Sequence, residues 1–318
     1  MNTLRGRLII TFLIVAIIGL AIVGTMAVRM SRQAIVETAW KEGEALASAL
    51  STNVNAYLRE RSSIIEMQAD RHILRSMNWT EQEPSLASLY ARYGFLDIFV
   101  ADIEGAVRFV QRDIQNVNIK DRGYFQQAIK EKKSVVSEPI LNRTTGALTF
   151  VYATPIVRDG QVVGVLAAAE NMENIAKEVG ALKWGSSGYA YLLDRKGVLV
   201  AHPVKDLVGQ LNTTIEGDRV APELARAMRD GLGGRKGTVE YHFNGRDQMN
   251  AYVPVPYTGW LAAVTTPLGE FLGPVNAIRN AILVTVAVVA LLIVIVSLWL
   301  ANSIAKPVRI VAEKMDAV

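Results

Sequence analysis

The chain has no cysteine and only three histidines, His72, His202 and His242, in 318 residues. The first absence excludes disulfide staples, cysteine-ligated zinc and thiol catalysis. The histidines are far apart in sequence, so no histidine-based metal spacing is present. The net charge is only +4, and no basic tract with interleaved aromatics marks a nucleic-acid surface. Phosphate-loop chemistry is also missing: Gly231–Thr238 is glycine-rich but lacks the Gly-Lys-Ser/Thr ending. Gly185-Ser186-Ser187-Gly188 is one residue short of a nucleophile elbow. No spacing pairs two carboxylates as an acid–base couple. The sequence therefore reads as a binding protein, not an enzyme, with no cofactor.

What is present in excess is apolar sequence at the two ends. Leu8–Val28 and Ala281–Ala301 are both uncharged. Each run is long enough, at 1.5 Å per residue, to cross a bilayer core of about 30 Å. The first is too long for a signal-peptide core and no Ala-x-Ala site follows it. Arg5 and Arg7 precede the first span, and Lys306, Arg309 and Lys314 follow the second. By the positive-inside rule both termini are cytoplasmic, including residues 1–7, and residues of about 30–278 are extracytoplasmic. The expected location is the inner membrane of the cell.

Between Val28 and Glu83 there is no proline and one glycine, Gly43. Leu46, Leu50, Val54, Leu58 and Ile65 recur at mostly fourfold spacing with charges between them. This predicts a long amphipathic stalk helix over 30–83, ended by Pro84, that packs on a domain, a symmetry mate or both. Strand signals follow. Phe95–Ala101 and Ala106–Gln111 flank the turn Asp102-Ile103-Glu104-Gly105; a helix is expected at Asp121–Lys132. Further strands fall at Ser134–Pro139, Leu148–Pro155 and Gln161–Ala169, with a polar turn at Asn142–Gly146. The pattern then repeats. Asp194 and Gly197 match Asp102 and Gly105 at an offset of 92 residues, in each case as Asp-x-x-Gly between apolar strands. Ala251–Pro256 echoes Val151–Pro155, and a helix is expected near Ala221–Arg229. The fold class is α+β: a long N-terminal helix and two antiparallel-sheet modules, 84–182 and 183–268, between transmembrane helices at 8–28 and 281–301. An amphipathic helix begins at 303–318.

The candidate site centres on Asp121-Arg122-Gly123-Tyr124-Phe125. One cation beside two rings, at a helix start near a sheet edge, suits a small anionic or zwitterionic ligand. The plainer alternative is that Arg122 caps a surface turn and the rings fill core. Phe99, on the Phe95–Ala101 strand, is a further candidate ligand-binding residue, and Tyr152 on its own strand is either a cavity wall or core packing. Glu170 and Asn171 are either ligand acceptors or caps of the helix starting near Met172.

This order of elements resembles the double Cache sensor family, whose modules are PAS-like. The cues are Asp121-Arg122-x-Tyr124-Phe125, Gly164-Val165-Leu166, and Gly188–Asp194 with Ala201-His202-Pro203, between two spans. Ile304-Ala305-Lys306-Pro307-Val308 resembles the start of a HAMP domain. The resemblance implies a transmembrane receptor that binds a small molecule in its membrane-distal module, 84–182. It signals through the membrane-proximal module, 183–268, to cytoplasmic signalling proteins, in chemotaxis first. Implied alternatives are a diguanylate cyclase, a histidine kinase, or a non-binding dimerisation module. A homodimer is implied too. In amino-acid-binding members an Arg-x-Trp-Tyr motif is followed by a tyrosine and an aspartate. Here Arg122 matches the arginine that grips the carboxylate, while Tyr124 and Phe125 replace Trp and Tyr. The later tyrosine falls near Ile140 and the aspartate near Ala169. The ammonium-binding half is largely missing, which points to an organic acid, an amine, a purine or a sugar-like signal before an amino acid.

Overall fold

Helix α1 runs unbroken from Leu4 to Ala69 in the computed structural model, which describes residues 4–110, 112, 114, 116–142 and 148–303. Chain contacts divide the molecule into Trp40–Leu268 and an apolar remainder that holds the start of α1 and helix α7 (Gly273–Ser303). In that remainder both helices are long and apolar enough to cross a membrane. Ile18, Val23, Leu291 and Trp299 are each more than half exposed, a surface suited to lipid rather than water. A Cβ on Gly24 would lie 2.7 Å from Ile282 Cγ2, so this glycine allows close helix approach. The HAMP-like helix expected over 303–318 lies outside the described residues, apart from Ser303 at the end of α7.

In the larger unit, α1 buries Ala47, Leu50, Val54, Leu58, Ile65 and Ala69, a stripe at helical spacing. The expected stalk continues to Glu83, whereas the helix ends at Ala69. The chain turns through α2 (His72–Arg75) and restarts as α3 (Trp79–Tyr93). Met77 makes the turn at φ +56°, and Asn78 caps α3 by accepting from Thr80 N at 3.2 Å. Pro84 lies inside α3 instead of ending a helix. It removes one donor, so the helix loses only the bond to the Thr80 carbonyl.

Two antiparallel sheets follow, and they share one topology. The first contains β1 (Asp97–Asp102), β2 (Val107–Phe109), β3 (Val135–Val136), β4 (Ile140–Leu141), β5 (Leu148–Arg158) and β6 (Gln161–Asn171). Its order is β2-β1-β6-β5-β3, with β4 also paired to β5. The second contains β7 (Tyr189–Leu193), β8 (Leu199–Ala201), β9 (Gly237–Phe243), β10 (Arg246–Val255) and β11 (Trp260–Pro267), in the order β8-β7-β11-β10-β9. If β4 is set aside, each module reads second-first-fifth-fourth-third. Helix α4 (Gly123–Glu131) packs Tyr124, Phe125 and Ala128 on one face of the first sheet. After α5 (Met172–Gly180), helix α6 (Pro222–Leu232) packs Leu224, Ala225 and Met228 on the second sheet.

The duplication extends to hydrogen bonds. Asp102 Oδ1 accepts from Glu104 N at 3.1 Å and Ala106 N at 2.9 Å; Asp194 Oδ1 accepts from Lys196 N at 2.9 Å and Val198 N at 2.8 Å. Gly105 and Gly197 take φ of +84° and +83°, which a side chain would resist. Asn118 Nδ2 donates to the Glu104 carbonyl and Asn212 Nδ2 to the Lys196 carbonyl, so an asparagine buttresses each turn. The class expected from the sequence, α+β with two PAS-like modules between apolar helices, is the fold observed.

Helix α1 is bonded to both modules. Ser51 Oγ donates to the Pro254 carbonyl at 2.6 Å, and Tyr257 donates its hydroxyl to Ser62 Oγ at 2.6 Å. On the first module the partner is Glu170, described below.

Candidate functional site

Arg122 is the N-cap residue of α4, with extended backbone (φ −78°, ψ 128°) and no side-chain cap bond. Its side chain is therefore free to leave the helix. Nη2 donates to the Leu141 carbonyl of β4 at 3.4 Å, and among the described residues Arg122 has no carboxylate partner. The following turn buries Tyr124 and Phe125 against Phe99, Val151, Ala167 and Ala169. Phe99 packs against Phe109 of β2, with centroids 5.3 Å apart and the rings tilted by 51°.

These residues enclose a cavity of about 40 Å³, bounded by Asp97, Phe99, Phe109, Arg122, Tyr124, Ile140, Asn142, Thr149, Val151 and Ala169. That volume holds a few waters. The site is formed but tight, and an organic ligand requires side chains to move.

The cavity also holds a carboxylate. Asp97 opens β1 and is only 2 % exposed. Its Oδ1 meets Arg112 Nε at 2.9 Å, and its Oδ2 accepts from Asn142 Nδ2 at 3.1 Å. Burial pushes the Asp97 carboxyl above its usual value, outweighing the Asn142 hydrogen bond and the Arg112 charge, which both pull it down. Sequence reasoning did not include Asp97, Arg112 or Asn142 in the site. The signal that identifies Asp97 is pairing register: it lies directly opposite Ala169 on the neighbouring strand, near which the resemblance implies an aspartate.

Of the seven expected site residues, Arg122, Tyr124 and Phe99 come together at the cavity, while Phe125 is buried in the adjoining core and does not line it. Tyr152 and Glu170 do not join them. Strand alternation puts Val151 and Ala169 on the cavity face, hence Tyr152 and Glu170 on the other. Tyr152 is fully buried there, edge-on to Phe95 and Phe150. Glu170, 1 % exposed, anchors α1. Its Oε1 accepts from the Tyr57 hydroxyl and from Asn174 Nδ2 at 3.1 Å, with Arg61 Nη2 at 3.8 Å. Burial first, and the Glu170 carboxylate second, push the Tyr57 hydroxyl well above its usual pKa. Asn171 caps α5, accepting from Glu173 N at 3.0 Å. For Asn171 the capping alternative holds.

A second carboxylate links the modules. Glu138, between β3 and β4, accepts from Arg195 Nε and, at 3.1 Å, from Trp260 Nε1. Arg195 sits in the Asp194–Gly197 turn. Larger spaces lie elsewhere: a groove of about 860 Å³ beside β2 and α3, and one of about 660 Å³ between α5 and the loop after β8. Among the described residues no three His, Asp or Glu side chains converge as a metal site.

A family model described as "Cache domain" (dCache_1) matches residues 31–275. The methyl-accepting chemotaxis protein McpA of Bacillus subtilis is 22% identical over 318 residues, covering 97% of this chain and 45% of that protein. This chain spans about half or less of the length of the curated relatives it matches. Among solved structures, the ligand-binding domain of the Pseudomonas fluorescens chemoreceptor CtaA in complex with L-isoleucine superposes with a TM-score of 0.63. It is 19% identical and covers 76% of this chain and 97% of that one. The extracellular domain of the putative histidine kinase mmHK1S-Z2 gives 0.65 at 16% identity, covering 74% and 100%. At these identities the likeness establishes the fold.

Proposed function

Because the chain belongs to the dCache_1 family of Cache domains, we propose that it is the ligand-sensing region of a transmembrane chemoreceptor. Its ligand is a small molecule held in the first module between α4 and the sheet. The observation that carries this reading is the Arg122 guanidinium. It stands at an aromatic-lined cavity with one long hydrogen bond and no carboxylate partner among the described residues. Such a group grips a ligand carboxylate through charge-assisted bonds of about 1.5–3 kcal/mol. Tyr124 and Phe99 supply apolar walls. The relatives support a chemotactic output, and the basic residues outside each span support an extracytoplasmic domain with cytoplasmic termini. A homodimer fits the long α1.

Near-complete switching requires about 5.5 kcal/mol of differential affinity, so Arg122 alone is insufficient and further contacts must contribute. Two paths lead away from the cavity. Ala169 lines it, and the next residue on β6, Glu170, holds α1 from the other face. Leu141 lines it too, and three residues before it Glu138 holds the second module.

The test is calorimetric titration of the full chain in lipid nanodiscs with a panel of amino acids, organic acids, amines, purines and sugars. The wild type binds at least one compound, and Arg122→Ala loses that binding while its melting temperature stays within a few degrees. Undiminished affinity in Arg122→Ala would remove the cavity from the account.

A further inference from the structure

Helix α5 carries the chain out of the first sheet, and its amphipathic pattern buries Met172, Ile175 and Val179. Strand β8 packs against it and leaves through Ala201-His202-Pro203, a stretch to which the cavity at Arg122 gives no role. Between α5 and this stretch lies the groove of about 660 Å³. That is within the range of small-molecule sites and far larger than the cavity of about 40 Å³ at Arg122. Leu148 and Asn171 line it from the first module, Val200 and Val208 from the second. A further space of about 390 Å³ continues it along α5 and shares Ala176, His202 and Pro203 with it.

The polar groups at this groove are mostly donors. Val204 N donates to His202 Nδ1 at 3.0 Å, shorter than the 3.4 Å from Nδ1 to the Val204 carbonyl. Nδ1 is thus the acceptor, and the neutral ring carries its proton on Nε2. Burial, which lowers the His202 pKa, keeps the ring neutral at pH 7. Tyr189 and Tyr191 meet the ring edge-on and hold it in place. Among the described residues its Nε2–H has no acceptor. Lys177, in the last turn of α5, and Lys205, two residues beyond Pro203, are exposed. Neither ammonium meets a carboxylate among the described residues. Glu173 also lines the groove, from the first turn of α5, where the helix dipole favours a negative charge. The described lining therefore sets two ammonium groups and an imidazole N–H against one carboxylate.

We infer that this groove is a second binding site, for a small carboxylate with a hydrocarbon body. Leu148, Met172, Ala176, Val200 and Val208 wall the body, and burying it there supplies the apolar share of the affinity. Lys177, Lys205 and His202 Nε2 donate to the carboxylate. A lysine acts as a compact point charge, and the exposure of both ammonium groups keeps each contribution modest. The site lies apart from the cavity at Arg122 and does not depend on it: the two share no lining residue.

The experiment is calorimetry on the full chain in nanodiscs, with the heat of empty nanodiscs subtracted. The probes are phenylacetate and hexanoate; the controls are phenethyl alcohol, hexanol, phenethylamine and hexylamine. At least one carboxylate binds, and its alcohol and amine counterparts bind at least about tenfold more weakly. Lys177→Gln and Lys205→Gln each weaken it about 3- to 10-fold at an unchanged melting temperature. His202→Phe keeps a ring against Tyr189 but removes the N–H, and it weakens binding as well. Hydrogen exchange with the bound carboxylate shows added protection at Met172–Lys177 and His202–Val208. The inference is overturned if neither carboxylate binds, if an amine or alcohol binds as tightly, or if either lysine variant binds undiminished. It is overturned equally if protection falls on the first turn of α4 and not on α5, which would place the carboxylate at Arg122.

Discussion

Glu170→Ala tests how the first module is fastened to α1. Glu170 is 1 % exposed and receives the Tyr57 hydroxyl, Asn174 Nδ2 and, at 3.8 Å, Arg61. Truncation removes an acceptor from a half-buried phenol and the counter-charge from a half-buried guanidinium. A hydrogen bond to a charged group contributes about 1.5–3 kcal/mol, and breaking a buried pair costs about 3–5 kcal/mol. Arg61 keeps its bond to the Tyr93 carbonyl at 2.9 Å and its seat over the Phe95 ring, so about 3–4 kcal/mol is expected. For a domain of this size each kcal/mol lowers the melting temperature by about 2–4 °C, giving a fall of roughly 6–16 °C. Glu170→Gln keeps an acceptor for Tyr57 and falls by about half as much. The assay is thermal unfolding of the full chain followed by tryptophan fluorescence. In the Tyr57→Phe background Glu170→Ala costs less than in the wild type, because one bond is already gone. A fall of under about 2 °C in Glu170→Ala, or strict additivity with Tyr57→Phe, would refute the anchor.

Gly43→Ala reverses a general rule. In an exposed helix the change stabilises by about 1 kcal/mol; here the new Cβ would lie 2.5 Å from the fully buried Trp184 ring, so a loss of about 1–3 kcal/mol is expected from overpacking, read as a lower melting temperature. His202 gives a pH dependence. Its ring is edge-on to Tyr189 at 5.0 Å, and burial lowers its pKa despite the Val204 backbone bond. The folded state resists the proton more than the unfolded chain does. The stability from this group is complete above about pH 6.5 and is lost as pH falls through the lower folded value. His202→Gln flattens the melting temperature between about pH 7 and pH 5; an unchanged slope would contradict the assignment.

The elements that were legible in the sequence are those fixed by local chemistry. Uncharged runs gave the two apolar helices, and alternation with Asp-x-x-Gly turns gave the paired modules. The cation–ring cluster at Arg122–Phe125 marked the start of α4. What stayed hidden depends on pairing across the sheet. Tyr152 and Val151 are neighbours in sequence but face opposite ways, and only the observed cores decide which faces the cavity. Glu170 looked like a ligand acceptor because it follows Ala169, yet strand parity turns it towards α1. Asp97 enters the site only through its register with Ala169. The break after Ala69 has no glycine or proline to announce it; Met77 makes the turn at a backbone angle uncommon for methionine. Asn118 and Asn212 buttress equivalent turns, but stand 13 and 15 residues beyond their glycines, too unlike in spacing to be noticed.

The most direct measurement is amide hydrogen exchange on the full chain with and without a ligand found by calorimetry. The account predicts added protection at Asp97–Phe99, at the first turn of α4 and at Ile140–Asn142, with a smaller change along α1 near Tyr57. Protection confined to the second module, with the first turn of α4 unchanged, would contradict it.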